Sequence, residues 1–155
     1  MKNLSWILVI ILSIVVAILG YKFTVGEVEE SDDGRLALML TKDERNALLL
    51  EMRTWLISTQ GVLAAATKDD MVEVAKIARV SGMAAEAETP ASLFRKIPLE
   101  MKKLGFATRA NFDEIAVLAE TEKDSKKVIE LLSKTMNNCI ACHATYRFVE
   151  ESPAK

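Results

Sequence analysis

The chain has one histidine, two cysteines, three prolines and six glycines in 155 residues. A lone histidine leaves no partner for a two-histidine metal site, and no distal acid–base imidazole if the one present is used elsewhere. Two cysteines and one histidine fall short of the roughly four ligands of a structural zinc site. There is no low-complexity tract and no internal repeat. Basic residues are not clustered, so nucleic acid is not an expected partner, because phosphate binding needs grouped Lys and Arg. Charge is also missing from the front of the chain. Lys2 and Lys22 are the only charged residues before Glu27. Over the whole chain 22 acidic residues outnumber 20 basic ones, so the part after Val25 is mildly acidic.

What the front does contain is the run "NLSWILVIILSIVVAILGYKFTV", Asn3 to Val25. A secretory signal core is about 7–15 apolar residues with a small-x-small site behind it. The unbroken core here, Trp6 to Gly20, is at the top of that range, and no clear Ala-x-Ala follows. A spanning helix wants about 20 residues, which Leu4 to Val25 supplies if Lys22 snorkels to the interface. The run is a retained anchor or a cleaved signal, and its length favours the anchor. Either sends the remainder across a bacterial inner membrane into the periplasm, with Lys2 inside and "EVEESDD" outside. The expected organisation is 1–25 leader, 26–35 linker and 36–155 folded domain.

The folded part reads as four amphipathic helices with no convincing strand. The first opens at "TKDE", where Thr41 caps and Glu44 completes a capping box. Leu48, Met52, Trp55, Leu56, Val62 and Leu63 then recur at helical steps on one stripe. The second begins near "TKDD" and carries Met71, Val74, Ala75, Ala78 and, further on, Gly82 and Ala85. The third begins at Pro98, a residue favoured in a first turn, with Met101, Leu104, Thr108, Ile115 and Ala119 inward. The fourth begins near Asp124 and carries Val128, Leu132, Met136, Cys139, Cys142, His143 and Tyr146. Helices of roughly 18–28 residues with short links suggest an all-α, antiparallel four-helix bundle. Leu93 and Phe94, in the longest link, should plug one end of its core.

All three of the rare thiol and imidazole groups stand in "NNCIACHATYR", residues 137–147. C-x-x-C-H is the attachment signature of c-type haem. Two thiols add to the two vinyl groups of the ring, and the next residue, His143, offers an imidazole to the iron. On a helix Cys139, Cys142 and His143 are i, i+3 and i+4 and share a face. A thioredoxin-like pair would instead sit at the start of a helix in a βαβ setting, which this chain does not suggest. Only twelve residues follow His143, and none is Met, so the other axial position is filled from upstream or left open.

A four-helix chain with C-x-x-C-H-x-x-Y-R on its last helix resembles the cytochrome c-prime family, including its low-spin, Met-ligated relatives. The resemblance rests on Cys139, Cys142, His143, Tyr146 and Arg147, with the helix pattern over about residues 36–150. It implies that Arg147 lies beside the proximal face of the haem. It also implies a distal residue on the first helix near Met52, within the same stripe as Trp55, which would pack on the ring or the core. Met39 is a weaker choice, and Met71, Met83, Met101 and Met136 read as core or loop. Where relatives carry an Arg or Gln near the haem propionates, this chain has Leu48 and Leu49; Arg45 or Arg53 could substitute. The Met-ligated branch implies a single-haem electron carrier, not an enzyme, with weakly bound respiratory proteins as partners. The five-coordinate branch implies binding of nitric oxide or another diatomic gas. Relatives pair through their first two helices, so a homodimer is a further expectation.

Overall fold

The computed structural model describes residues 2–151. Met1 and the last four residues of the expected 36–155 domain lie outside the described residues. The chain is mostly helical, with an apolar helix at its N-terminus. That helix, α1 (Lys2–Val25), holds a 20-residue window, Trp6–Val25, none of it buried. At 1.5 Å per residue it matches a hydrocarbon core of about 30 Å, and it is apolar enough to be a signal or a membrane anchor. It stops at Gly26, whose φ of +70° suits the left-handed residue after a helix. A Cβ at Gly26 would collide with the Lys96 carbonyl oxygen and come within 2.6 Å of the Pro98 nitrogen. The end of α1 is therefore pressed against the chain at Lys96 to Pro98.

Residues 26–35, expected as a linker, carry strand β1 (Val28–Glu30), which pairs antiparallel with β2 (Leu36–Leu40). β2 also pairs in parallel with β3 (Tyr146–Glu150), in the order β1-β2-β3. The expectation of no strand is thus corrected. Strands of three and five residues are too short to show a period. "LALML", at the centre of the sheet, is a continuous apolar run with Leu38 and Leu40 fully buried. The expected last helix is also shorter than the motif implied. α6 (Ser125–Thr145) ends before Tyr146, whose φ and ψ of −122° and 151° are extended. Tyr, Phe and Val in "YRFVE" favour strand, and the ladder to β2 satisfies their backbone.

The helix starts follow the local chemistry. Thr41 and Glu44 form the expected capping box at α2 (Lys42–Ala66). Asp70 caps α3 (Met71–Val80), and Asp124 caps α6 by accepting from the Lys126 and Lys127 amides. Pro98 is the residue before α5 (Leu99–Thr121) rather than its first. α3 has only 10 residues, well short of the expected length. It ends at Ser81 and Gly82, and a 3-10 turn (Met83–Glu88) and the six-residue α4 (Ala91–Lys96) follow.

α2 packs on α3 and α6, and α5 packs on α3 and α6. Ser125 donates to the Asp69 carboxylate at 2.6 Å, which holds the α2–α3 and α5–α6 turns together. Lys96 donates to Glu44 and Glu151 at the sheet end. One core, around Val62, Val74, Phe112, Ile115 and Val128, lies among these four helices. A second joins Leu38, Leu40, Leu48, Leu93, Met101 and Tyr146 beside the sheet, so Leu93 is buried in this core and not in the first. Leu56, Leu63 and Met136 were expected inward but are 69%, 44% and 46% exposed. Ser58, Thr135, Lys102 and Arg109 are buried in their place. The period alone put large apolar residues inward, whereas the buried polar groups are ones that find a partner or face a cavity.

Candidate cofactor site

A cavity of about 450 Å³ opens among α2, α4, α5 and α6 and draws its walls from both cores. Cys139, Cys142 and His143 border it from α6, and Met52 and Trp55 from α2. The helical spacing in the sequence therefore does bring its thiols and imidazole to one space. Both cysteines are half-buried and unbonded to each other. Burial raises both thiols above the ordinary range, and Cys142, with Cys139 beside it, is pushed up to about 11. A thioredoxin-type nucleophile needs the opposite shift. His143 is exposed along the cavity edge, two residues before the helix ends, and its carbonyl accepts from Arg35 Nη1 at 3.3 Å.

A second, smaller cleft of about 220 Å³ is bordered by Arg35, Arg45 and Arg147. Leu49, Met52, Cys142 and His143 border both spaces, so they mark where the two meet. Met52 is half-buried at this junction. Arg147 was expected on the last helix; it lies instead on β3, where the ladder to β2 continues the chain. It still borders the cleft beside His143, and it is paired with Asp32 at 3.2 Å and Asp33 at 3.3 Å on the β1–β2 turn. Arg45 borders the cleft, Arg53 the larger cavity, and Met39 neither. Phe94 borders the cavity from α4 and lies between Phe23 and Phe106, with tilted rings at 6.5 and 6.2 Å between centroids.

Sequence reasoning missed the charged groups of this wall. Arg109 is 3% exposed and is paired with Glu51 and, at 2.9 Å, with Glu86. Its guanidinium lies 5.4 Å from the centre of the Trp55 ring. Burial raises Glu51 above the usual carboxylate range, with Arg109 opposing and Glu86 adding. Lys102 is 5% exposed and also faces the cavity. A signal for both existed: Lys102, Arg109 and Ala116 recur at seven-residue steps beside the apolar stripe. Met101 and Met136, read as core or loop, border the cavity as well.

Among the described residues, no three His, Cys, Asp or Glu side chains gather as a metal-ion cluster. The trio on α6 is arrayed along a wall rather than about a point. No family model matches the chain, and neither does any curated protein or solved structure.

Proposed function

We propose that this chain is a periplasm-facing c-type cytochrome that carries one covalent haem and serves electron transfer. Cys139 and Cys142 would hold the ring, His143 would be the proximal iron ligand, and Met52 the distal one. The observation that carries the reading is that two thiols, an imidazole and a thioether border one cavity of about 450 Å³. That volume is within the range of sites that enclose a sizeable organic ligand. The donor set suits the group: thiols for two vinyl carbons, and nitrogen and sulfur donors for iron. When bound, haem supplies a one-electron centre, and His/Met ligation raises its potential.

The chain's own residues divide the remaining work. α6 presents both cysteines and His143 on one face. Leu48, Leu49, Phe94 and Phe112 keep water from the interior, and Trp55 closes the wall with Arg109 behind it. Arg147, which borders the smaller cleft with His143, would lie beside the proximal face as the family resemblance implies. We read α2, α3, α5 and α6 as an antiparallel four-helix bundle of cytochrome c-prime type, with the small sheet as an addition. α1 is read as a retained anchor, because Gly26 and Phe23 pack against the domain. Redox proteins of a respiratory chain are the expected partners, held weakly as is usual for such encounters. A second copy would cover the exposed Leu50 and Ile57 of α2 and Val72 of α3.

Full-length protein matured in a bacterium that attaches haem c should be coloured, with neither thiol open to alkylation. A colourless product with two reactive thiols ends the reading. The ferric protein should show the weak far-red band of an iron–thioether bond, and Met52→Ala should remove it and leave the iron high-spin. The second reading, a five-coordinate haem that binds nitric oxide or another diatomic gas, draws on the aliphatic wall of Leu48, Leu49 and Leu56 around Met52. It is favoured if the wild-type ferric protein is already high-spin and its spectrum shifts on adding nitric oxide.

A further inference from the structure

Lys102 stands in the first turns of α5 and is 5% exposed. Among the described residues its Nζ has no hydrogen-bond partner. It borders the cavity that Cys139, Cys142 and His143 also border. Its close neighbours are two ring faces, Phe23 of α1 at 3.9 Å and Phe94 of α4 at 4.6 Å. Ring faces attract a cation, but they leave the three N–H donors of an ammonium largely unmet. A buried charge without a counter-charge is costly, and burial pulls this amine below the ordinary lysine value. The other buried cation of the wall, Arg109, is already neutralised by Glu51 and Glu86. The cavity thus presents a buried positive group without a counter-charge in mostly apolar surroundings, and a carboxylate is the chemistry that completes it.

Haem brings two such carboxylates, its propionates, on the part of the ring away from its vinyl groups. Thioether bonds at Cys139 and Cys142 tie the vinyl edge to α6, so the carboxylate edge must meet some other wall. Resting on the haem reading above, we propose that Lys102 is the counter-ion of a haem propionate, with Phe23 and Phe94 shielding the pair from water. The anchor helix then contributes to the site through Phe23. The competing cations are Arg53, which borders the same cavity but is exposed, and Arg35, Arg45 and Arg147 of the smaller cleft, of which Arg35 already holds Asp33 and Arg147 holds Asp32 and Asp33.

The test compares full-length haem-loaded wild type with Lys102→Gln and Lys102→Arg, each isotope-labelled at the propionate carboxyls, by redox-difference infrared spectroscopy. The labelled carboxylate band should move in Lys102→Gln and return towards its original position in Lys102→Arg. The midpoint potential should fall in Lys102→Gln, because a nearby positive charge favours the reduced iron. The expected size is several-fold in the ferrous-to-ferric ratio at a fixed poise, and Lys102→Arg should restore it. A labelled band that stays put in Lys102→Gln overturns the assignment, even if the potential shifts. A crystal structure of the wild-type holoprotein gives an answer that needs no variant. A propionate oxygen within hydrogen-bond distance of Lys102 Nζ is expected; both propionates on Arg35, Arg45, Arg53, Arg147 or solvent overturns the proposal. Colourless protein with two alkylatable thiols defeats the haem reading itself, whereas coloured protein with an unmoved band defeats only the role of Lys102.

Discussion

Met52 is half-buried at the junction of two spaces, and that position separates two roles a methionine can play. If it only fills space, Met52→Ala should cost stability and leave the spectrum alone; if it binds iron, the spin state should change. Both are readable on one sample, by urea unfolding and by the ferric spectrum, and a spin-state change is the expected result. Arg109 makes a different case. It is buried between Glu51 and Glu86, so Arg109→Ala leaves two acids without their counter-charge. Breaking a buried pair in this way costs about 3–5 kcal/mol. A loss below about 1 kcal/mol in urea unfolding would show that solvent already reaches the pair. The cysteines and His143 were legible because their spacing is local. Lys102 and Arg109 were not, because a charged residue beside a stripe reads as solvated until its neighbours on other helices are known.

The α2 start shows how far local chemistry carries an element. Thr41 and Glu44 cap each other as the sequence indicates, but Glu44 also receives Lys96 from α4. Burial opposes ionisation of Glu44, yet Lys96 and Thr41 outweigh it and hold its carboxyl below the ordinary glutamate value. A depressed folded value means that the unfolded chain binds more protons as pH falls below 4.5. The stabilisation is therefore present above that pH and lost as pH falls through the folded value. Glu44→Gln should lower stability at neutral pH and narrow the difference between neutral and acid unfolding midpoints. An unchanged difference would remove Glu44 from that role. Gly26 governs the other junction. Gly26→Ala must place a Cβ against the Lys96 carbonyl at φ +70°, and a left-handed alanine alone costs roughly 1–2 kcal/mol. Thermal unfolding of the variant in detergent should fall by several degrees; an unshifted midpoint would mean that α1 does not dock there.

In the molecule as a whole, the apolar helix and the cavity are joined rather than strung apart. Phe23, in the last turns of α1, packs at a tilt against Phe94, which lines the cavity. An anchor docked in this manner holds its domain at a set height and tilt over a bilayer, whereas a flexible linker would not. Full-length protein should therefore stay in the membrane pellet through an alkaline carbonate wash, and the mature chain should still contain Phe23 by mass spectrometry. Recovery in the soluble fraction with a new N-terminus beyond Phe23 would make the run a cleaved signal. The small sheet belongs to this same level of organisation. It fastens the chain after His143 to the segment after α1 through the β2–β3 ladder, so both ends of the folded part meet beside the site.

The amino-acid order alone was enough for whatever depends on neighbours within a turn or two. That covers the apolar helix at the front, the cap at Thr41, the helix start near Asp124, much of the inward stripes, and the placing of Cys139, Cys142 and His143 on one face. Only packing in three dimensions decided the rest. It ended α6 before Tyr146, because Leu36 to Leu40 offered a strand ladder from more than a hundred residues away. It turned the stretch expected as a linker into β1, and it enclosed Lys102 and Arg109 beside the cavity. Contacts of that kind are made between distant segments; a local period can place Lys102 and Arg109 beside a stripe but does not say what encloses them.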